Sequence, residues 1–144
     1  MQKLIVGVVA GSILAWAACD PAFQAEPPIR EKTVGVVLTS GDTGAVTIPA
    51  AVDAGTPFTV VVETFGGGCT EMDGTDVFTD GLVADVTPYD VVDRSSVVCP
   101  AIVRTFEHSA ALVFSTKGEA TVRVHGRALS PDTSWVRQYS VNVR

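Results

Sequence analysis

Pro57–Phe65 reads PFTVVVETF, the most regular alternation in the chain. Phe58, Val60 and Val62 fall on one side of an extended backbone, with Thr59, Val61 and Glu63 on the other, because successive strand side chains point to opposite faces. A strand with one apolar face needs a second layer to cover it. The stretch runs into Gly66-Gly67-Gly68, where absent side chains admit backbone conformations closed to other residues, just before Cys69.

The same pattern recurs downstream. In Val103–Phe114, the residues Phe106, His108, Ala110, Leu112 and Phe114 share a face opposite Glu107, Ser109 and Ala111. Ser115-Thr116-Lys117-Gly118 turns the chain. In Glu119–Ala128, Ala120, Val122 and Val124 face in, while Thr121, Arg123, His125 and Arg127 face out. A loop over Leu129–Thr133, with Pro131-Asp132, leads to a last strand, Trp135–Val143, with Tyr139, Val141 and Val143 as its buried set. Upstream, Thr33–Leu38 is a first strand ended by Ser40-Gly41-Asp42. Ala45–Ile48 is a short second one, and Pro49–Thr56 a turn-rich link. Turn residues recur roughly every 8–12 positions, and no window carries a 3.6-residue stripe.

Between Cys69 and Cys99 the pattern loosens. Asp73-Gly74 suits a tight hairpin turn, and Asp76–Thr79 and Leu82–Thr87 would flank a second turn at Asp80-Gly81. Pro88-Tyr89-Asp90 should end that strand or kink an edge one, because proline has no N–H for the ladder. Asp93–Pro100 reads as loop. About seven or eight short antiparallel strands, each with one apolar face, make an all-β, two-sheet sandwich over residues 32–144. The order Ala54-Gly55-Thr56-Pro57-Phe58, then Phe114, then Gly118-Glu119-Ala120-Thr121-Val122-Arg123-Val124 resembles bacterial immunoglobulin-like surface domains. The Cys…Trp…Cys spacing of antibody domains is absent.

The N-terminus decides compartment. Met1–Cys19 reads MQKLIVGVVAGSILAWAAC: Lys3, an uncharged run, then small residues. That is the layout of a secretory signal peptide over residues 1–18. Leu4–Ala18 is short of the roughly 20 residues that cross a bilayer. Ala17-Ala18-Cys19 resembles the lipobox of bacterial lipoproteins, with Trp16 where that family has Leu, Val or Ile. Ala15-Trp16-Ala17 also fits an ordinary signal-peptidase site. The resemblance implies lipidation of Cys19 and a membrane anchor on the extracytoplasmic side of the cell envelope. Asp20 matches a rule for inner-membrane retention in some lineages, and the choice of membrane stays open. With Cys19 lipidated, the other two cysteines, Cys69 and Cys99, remain as a disulfide pair. Residues 19–31, with three prolines, read as attachment point and tether.

Of ten Lys and Arg, only Lys3 precedes Cys19. The remaining nine face sixteen Asp and Glu, a net charge of −7. That sign excludes a nucleic-acid binder, whose affinity comes from phosphate neutralisation. The chain has no G-x-S-x-G, H-E-x-x-H or phosphate-loop motif, and neither a cofactor nor enzymatic activity is expected. His108 reads as a hydrogen-bonded histidine at the edge of the core, and His125 as exposed between Arg123 and Arg127. Glu71, Asp73 and Asp76 offer oxygens for Ca²⁺ but lack the spacing of a calcium loop. They are the candidate partner-binding residues, at an end where a Cys69–Cys99 bridge would gather Gly66–Asp76 and Asp93–Pro100. The expectation is a non-enzymatic envelope lipoprotein with an immunoglobulin-like module that binds an envelope protein or glycan, or is structural. The alternative is a small inhibitor or sensor of an extracytoplasmic enzyme.

Overall fold

The alternation of Pro57–Phe65 is realised as β4 (Phe58–Gly66), with Val60 and Val62 fully buried. The computed structural model describes residues 28–37, 45–129 and 133–144. The expected leader, Cys19, most of the tether, Leu38, the Ser40-Gly41-Asp42 turn and Pro131-Asp132 lie outside them. The other strands are β1 (Arg30–Val34), β2 (Val46–Thr47), β3 (Ala51–Val52), β5 (Thr70–Asp80), β6 (Val83–Asp93), β7 (Arg104–Leu112), β8 (Gly118–Arg127) and β9 (Ser134–Val143). They form two sheets, and the described residues contain no α-helix. One sheet runs β1-β6-β8-β9-β3, with β5 also on β6. The other runs β2-β4-β7.

The inward sets read from periodicity face the core, with Phe58 and Tyr139 only partly buried against it. Ala120, Val122 and Val124 of β8 and Val141 of β9 have no exposure and join Val60, Val62, Leu112 and Phe114 in one core. Each buried valine contributes about 1.5–3 kcal/mol relative to an exposed one. Arg30 and Glu31, at the end of the expected tether, pair with Asp93 and Val92. Beyond β1, Val36 pairs with Phe65 on β4 and with Arg127 on β8, so this one residue joins the two sheets.

Four local expectations are corrected. The sheets are not purely antiparallel: β6 and β8 are parallel, as are β3 and β9. The chain leaves β6, crosses to β7 in the other sheet and returns as β8, and such a crossover brings strands back in the same direction. The link Pro49–Thr56 contains β3, because Ala51 and Val52 find ladder partners in Asn142 and Val143. Asp73-Gly74 is not a hairpin turn. It lies inside β5, where a bulge between Met72 and Gly74 absorbs Asp73 as one extra residue against β6.

Pro88 does not end its strand, since β6 runs through it to Asp93. Along one edge, β6 pairs with β8 over Val83–Val86 and with β1 over Tyr89–Asp93, so Pro88 falls at the changeover. The Pro88 carbonyl accepts the Gly35 N–H there at 2.9 Å. A residue's N–H and C=O lie on the same side of a strand, so the missing donor of Pro88 is missing where the neighbours change.

Candidate functional site

Strand parity brings three polar side chains into the interior. His108 follows Phe106 on β7, Thr64 follows Val62 on β4, and Asp90 continues the series Ala84, Val86, Pro88 on β6. His108 and Asp90 are 1% and 2% exposed, and Thr64 is fully buried. His108 Nε2 lies 3.0 Å from Asp90 Oδ1 and 3.1 Å from Thr64 Oγ1. On the other side of the ring, Nδ1–H donates to the Gly74 carbonyl at 3.2 Å, with the Thr75 hydroxyl at 3.5 Å. The imidazole therefore ties β7 to β5 and β6 of the facing sheet. The sequence pattern places His108 at the core edge with hydrogen bonds but does not reveal Asp90, because Pro88 reads as ending the strand or kinking an edge one. Carrying the Ala84–Val86 alternation two steps further would have found it.

A hydroxyl, an imidazole and a carboxylate invite comparison with a nucleophile triad. The relay in such a triad uses one imidazole nitrogen for the hydroxyl and the other for the carboxylate. Here Thr64 and Asp90 share Nε2, and Nδ1 is taken by a backbone carbonyl. The cluster has the geometry of a core staple, not of a relay.

The disulfide-held end lies next to this staple. Cys69 and Cys99 are bonded, with α-carbons 5.2 Å apart. Gly68 is required by close approach: a Cβ there would come within 2.6 Å of the Pro100 carbonyl oxygen. The root of the loop is held by Asp93, whose Oδ1 accepts the Ser95 hydroxyl at 2.6 Å and its N–H at 2.9 Å. These two donors hold the Asp93 carboxyl below the usual carboxylate range. Arg94 N–H donates to the Ile29 carbonyl at 2.8 Å, so the N-terminal segment enters at this same end. Between these ties the loop exposes Val97 (97%), Val98, Ile102 and Val103 (81%). Beside it, among the ends of β1, β4, β6 and β8, a cavity of about 290 Å³ has Asp90 in its lining.

The acidic trio sits on strand β5, not in a loop, and Gly66–Asp76 is a loop only around Gly67–Cys69. Glu71 pairs with Arg30 at 2.6 Å and Asp73 with Lys32 at 3.1 Å, while Asp76 is exposed. The Asp73 carboxylate raises the pKa of Lys32. Two of the three charges are thus matched within the domain. β5 pairs only with β6 among the described strands, and charges and a bulge on such an edge resist pairing with another chain. Among the described residues, no group of three or more His, Cys, Asp or Glu could hold a metal ion.

His125 is not left among cations. Asp85 of β6 lies 2.7 Å from its Nε2 and accepts from Arg123 Nη2 at 2.5 Å. The Arg123 guanidinium, and then His125, hold the Asp85 carboxyl below its ordinary value. The parallel pairing of β6 with β8 puts Asp85 opposite Arg123, which periodicity within either strand could not reveal.

No protein-family model matches the chain, and no curated protein or solved structure is significantly similar to it.

Proposed function

We propose that this chain is a non-enzymatic lipoprotein of a bacterial cell envelope, tethered through a lipidated Cys19. Its immunoglobulin-like sandwich would bind a protein partner through its disulfide-held end. The observation that carries this reading is the loop between β6 and β7. Four large aliphatic side chains, Val97, Val98, Ile102 and Val103, are exposed within a few residues of one another on a covalently held loop. Apolar residues scattered singly on a surface are ordinary, whereas a contiguous apolar group marks an interaction surface. A loop already fixed by a bridge loses less entropy on binding.

Further support comes from the bond between Cys69 and Cys99, which suits an oxidising extracytoplasmic compartment. Asp76 and the ion-paired Glu71 and Asp73 then form a polar flank to the contact rather than its centre. A protein surface fits the aliphatic loop better than a glycan does.

Metabolic lipid labelling of the full chain in a bacterial host tests the tether. Cys19→Ser should abolish labelling and release soluble protein. Retention of an unprocessed chain on membranes would instead make Leu4–Ala18 the anchor. For the contact, Val97→Asp with Val98→Asp should abolish partner capture with melting unchanged. Capture by that folded variant would move the site elsewhere.

A further inference from the structure

We propose that the open edge of β9 pairs antiparallel with β9 of a second copy, joining two sandwiches through one continuous sheet. Strand β9 lies on β8 in unbroken register from Ser134 to Val143. On its other side the described strands offer only β3, which reaches Asn142 and Val143. There the Asn142 N–H donates to the Ala50 carbonyl and the Arg144 N–H to the Val52 carbonyl, both at 2.9 Å. Backbone groups alternate sides along a strand, so Val136, Gln138 and Ser140 turn their N–H and C=O the same way, into the edge that β3 leaves open.

The two edges of this sheet are built differently. At one, β5 carries Glu71, Asp73, Asp76, Asp80 and a bulge, all of which resist pairing with another chain. At the other, β9 reads SWVRQYSVNV, with no acid, proline, glycine or bulge and with Arg137 as its one charge. Val136 is half exposed, and Gln138 and Ser140 are exposed. A long, regular edge without such protection is a template for an added strand.

The strand is complementary to itself. About a two-fold axis, β9 meets its copy with one residue opposite its own counterpart. The ladder must stop before Asn142, which β3 occupies, so the longest registers centre on Arg137 or Gln138. Centring on Arg137 sets two guanidinium groups against each other, and like charges directly opposite destabilise a strand pair. Centring on Gln138 sets that amide against its counterpart, where each can donate and accept. Val136 then faces Ser140 of the second copy, and Arg137, which lies 5.5 Å from the Trp135 ring, faces Tyr139. This register also puts the outward backbone groups of Val136, Gln138 and Ser140 opposite one another, where facing residues exchange both hydrogen bonds. A two-fold contact closes on itself and uses both open edges.

Sedimentation equilibrium of the full chain in density-matched detergent, with its disulfide intact, tests this. The chain should form a reversible dimer in the upper micromolar range, as a small edge contact allows. Gln138→Pro removes an N–H that no described residue accepts and should abolish the dimer. Gln138→Lys and Gln138→Glu should each weaken it about fivefold, and an equimolar mixture of the two should pair at least as tightly as the wild type. Val97→Asp with Val98→Asp should dimerise unchanged, which separates this contact from the disulfide-held loop. A monomeric wild type, a dimer indifferent to Gln138→Pro, a dimer lost with the loop variant, or a mixture no tighter than its components would each overturn the proposal. Melting curves show that the variants are folded, and if proline unfolds the strand the charge series decides alone.

Discussion

His108 Nε2 and Asp90 Oδ1 meet 3.0 Å apart across the two sheets, with side chains 0% and 2% exposed. Few polar contacts join the sheets elsewhere in the described core, which is built of valine, alanine, leucine and phenylalanine. A paired buried acid and base contributes little over an apolar pair of the same size, but removing one member strands the other. The pair therefore constrains which strands face each other more than it adds net stability.

Asp90→Ala and His108→Ala should each lower unfolding free energy by about 3–5 kcal/mol, because each strands its partner in the core. The double replacement Asp90→Ala with His108→Ala should cost clearly less than the two single changes added together, because neither partner is then left stranded. Urea titration of the four proteins measures the coupling. A double variant as unstable as the sum of the singles would mean that the two residues act independently.

Replacing both Cys69 and Cys99 by serine should cost on the order of 3–4 kcal/mol for a closed loop of this length. The loss should appear as a lower urea midpoint. Hydrogen exchange should rise first in the Val97–Val103 loop, which the bridge and Gly68–Pro100 packing hold.

Acid should weaken the domain partly through Asp85. Its folded carboxyl is depressed by Arg123 and His125, so the unfolded chain takes up the proton more readily. The contribution is complete above the unfolded carboxylate pKa, near 3.9, and is lost as pH falls through the lower folded value. Stability measured from about pH 5 downward should therefore fall less steeply in Asp85→Asn than in the wild type. Identical slopes would assign the acid response to other groups.

Neutralising Glu71, Asp73 and Asp76 together should change stability by less than about 1 kcal/mol, since the Arg30 and Lys32 pairs are solvent-exposed. The same variant should self-associate more readily in light scattering, because β5 then keeps Asp80 as the one charge along its edge. Loss of more than that stability would show that the β1–β5 pairs hold the N-terminal strand in place.

Alternation alone determined that β4, β7, β8 and β9 are strands and which of their side chains are inside. Period-two parity is a local property, and Val60, Leu112, Val122 and Val141 carry it on their face. It also put His108 in the core. Tertiary structure alone decided that Asp90 meets His108, that β6 lies parallel to β8, and that Asp85 faces Arg123 and His125. Partner and register are relations between distant segments, and neither strand encodes them by itself. Pro88 and Asp73-Gly74 misled for the same reason. A proline can stay in a strand where its missing donor falls between two neighbours, and a turn dipeptide can become a bulge where the partner strand runs past it. The cavity needed more still: Phe65, Asp90, Val103 and Arg127 come from four separated segments, and only packing brings them around one space.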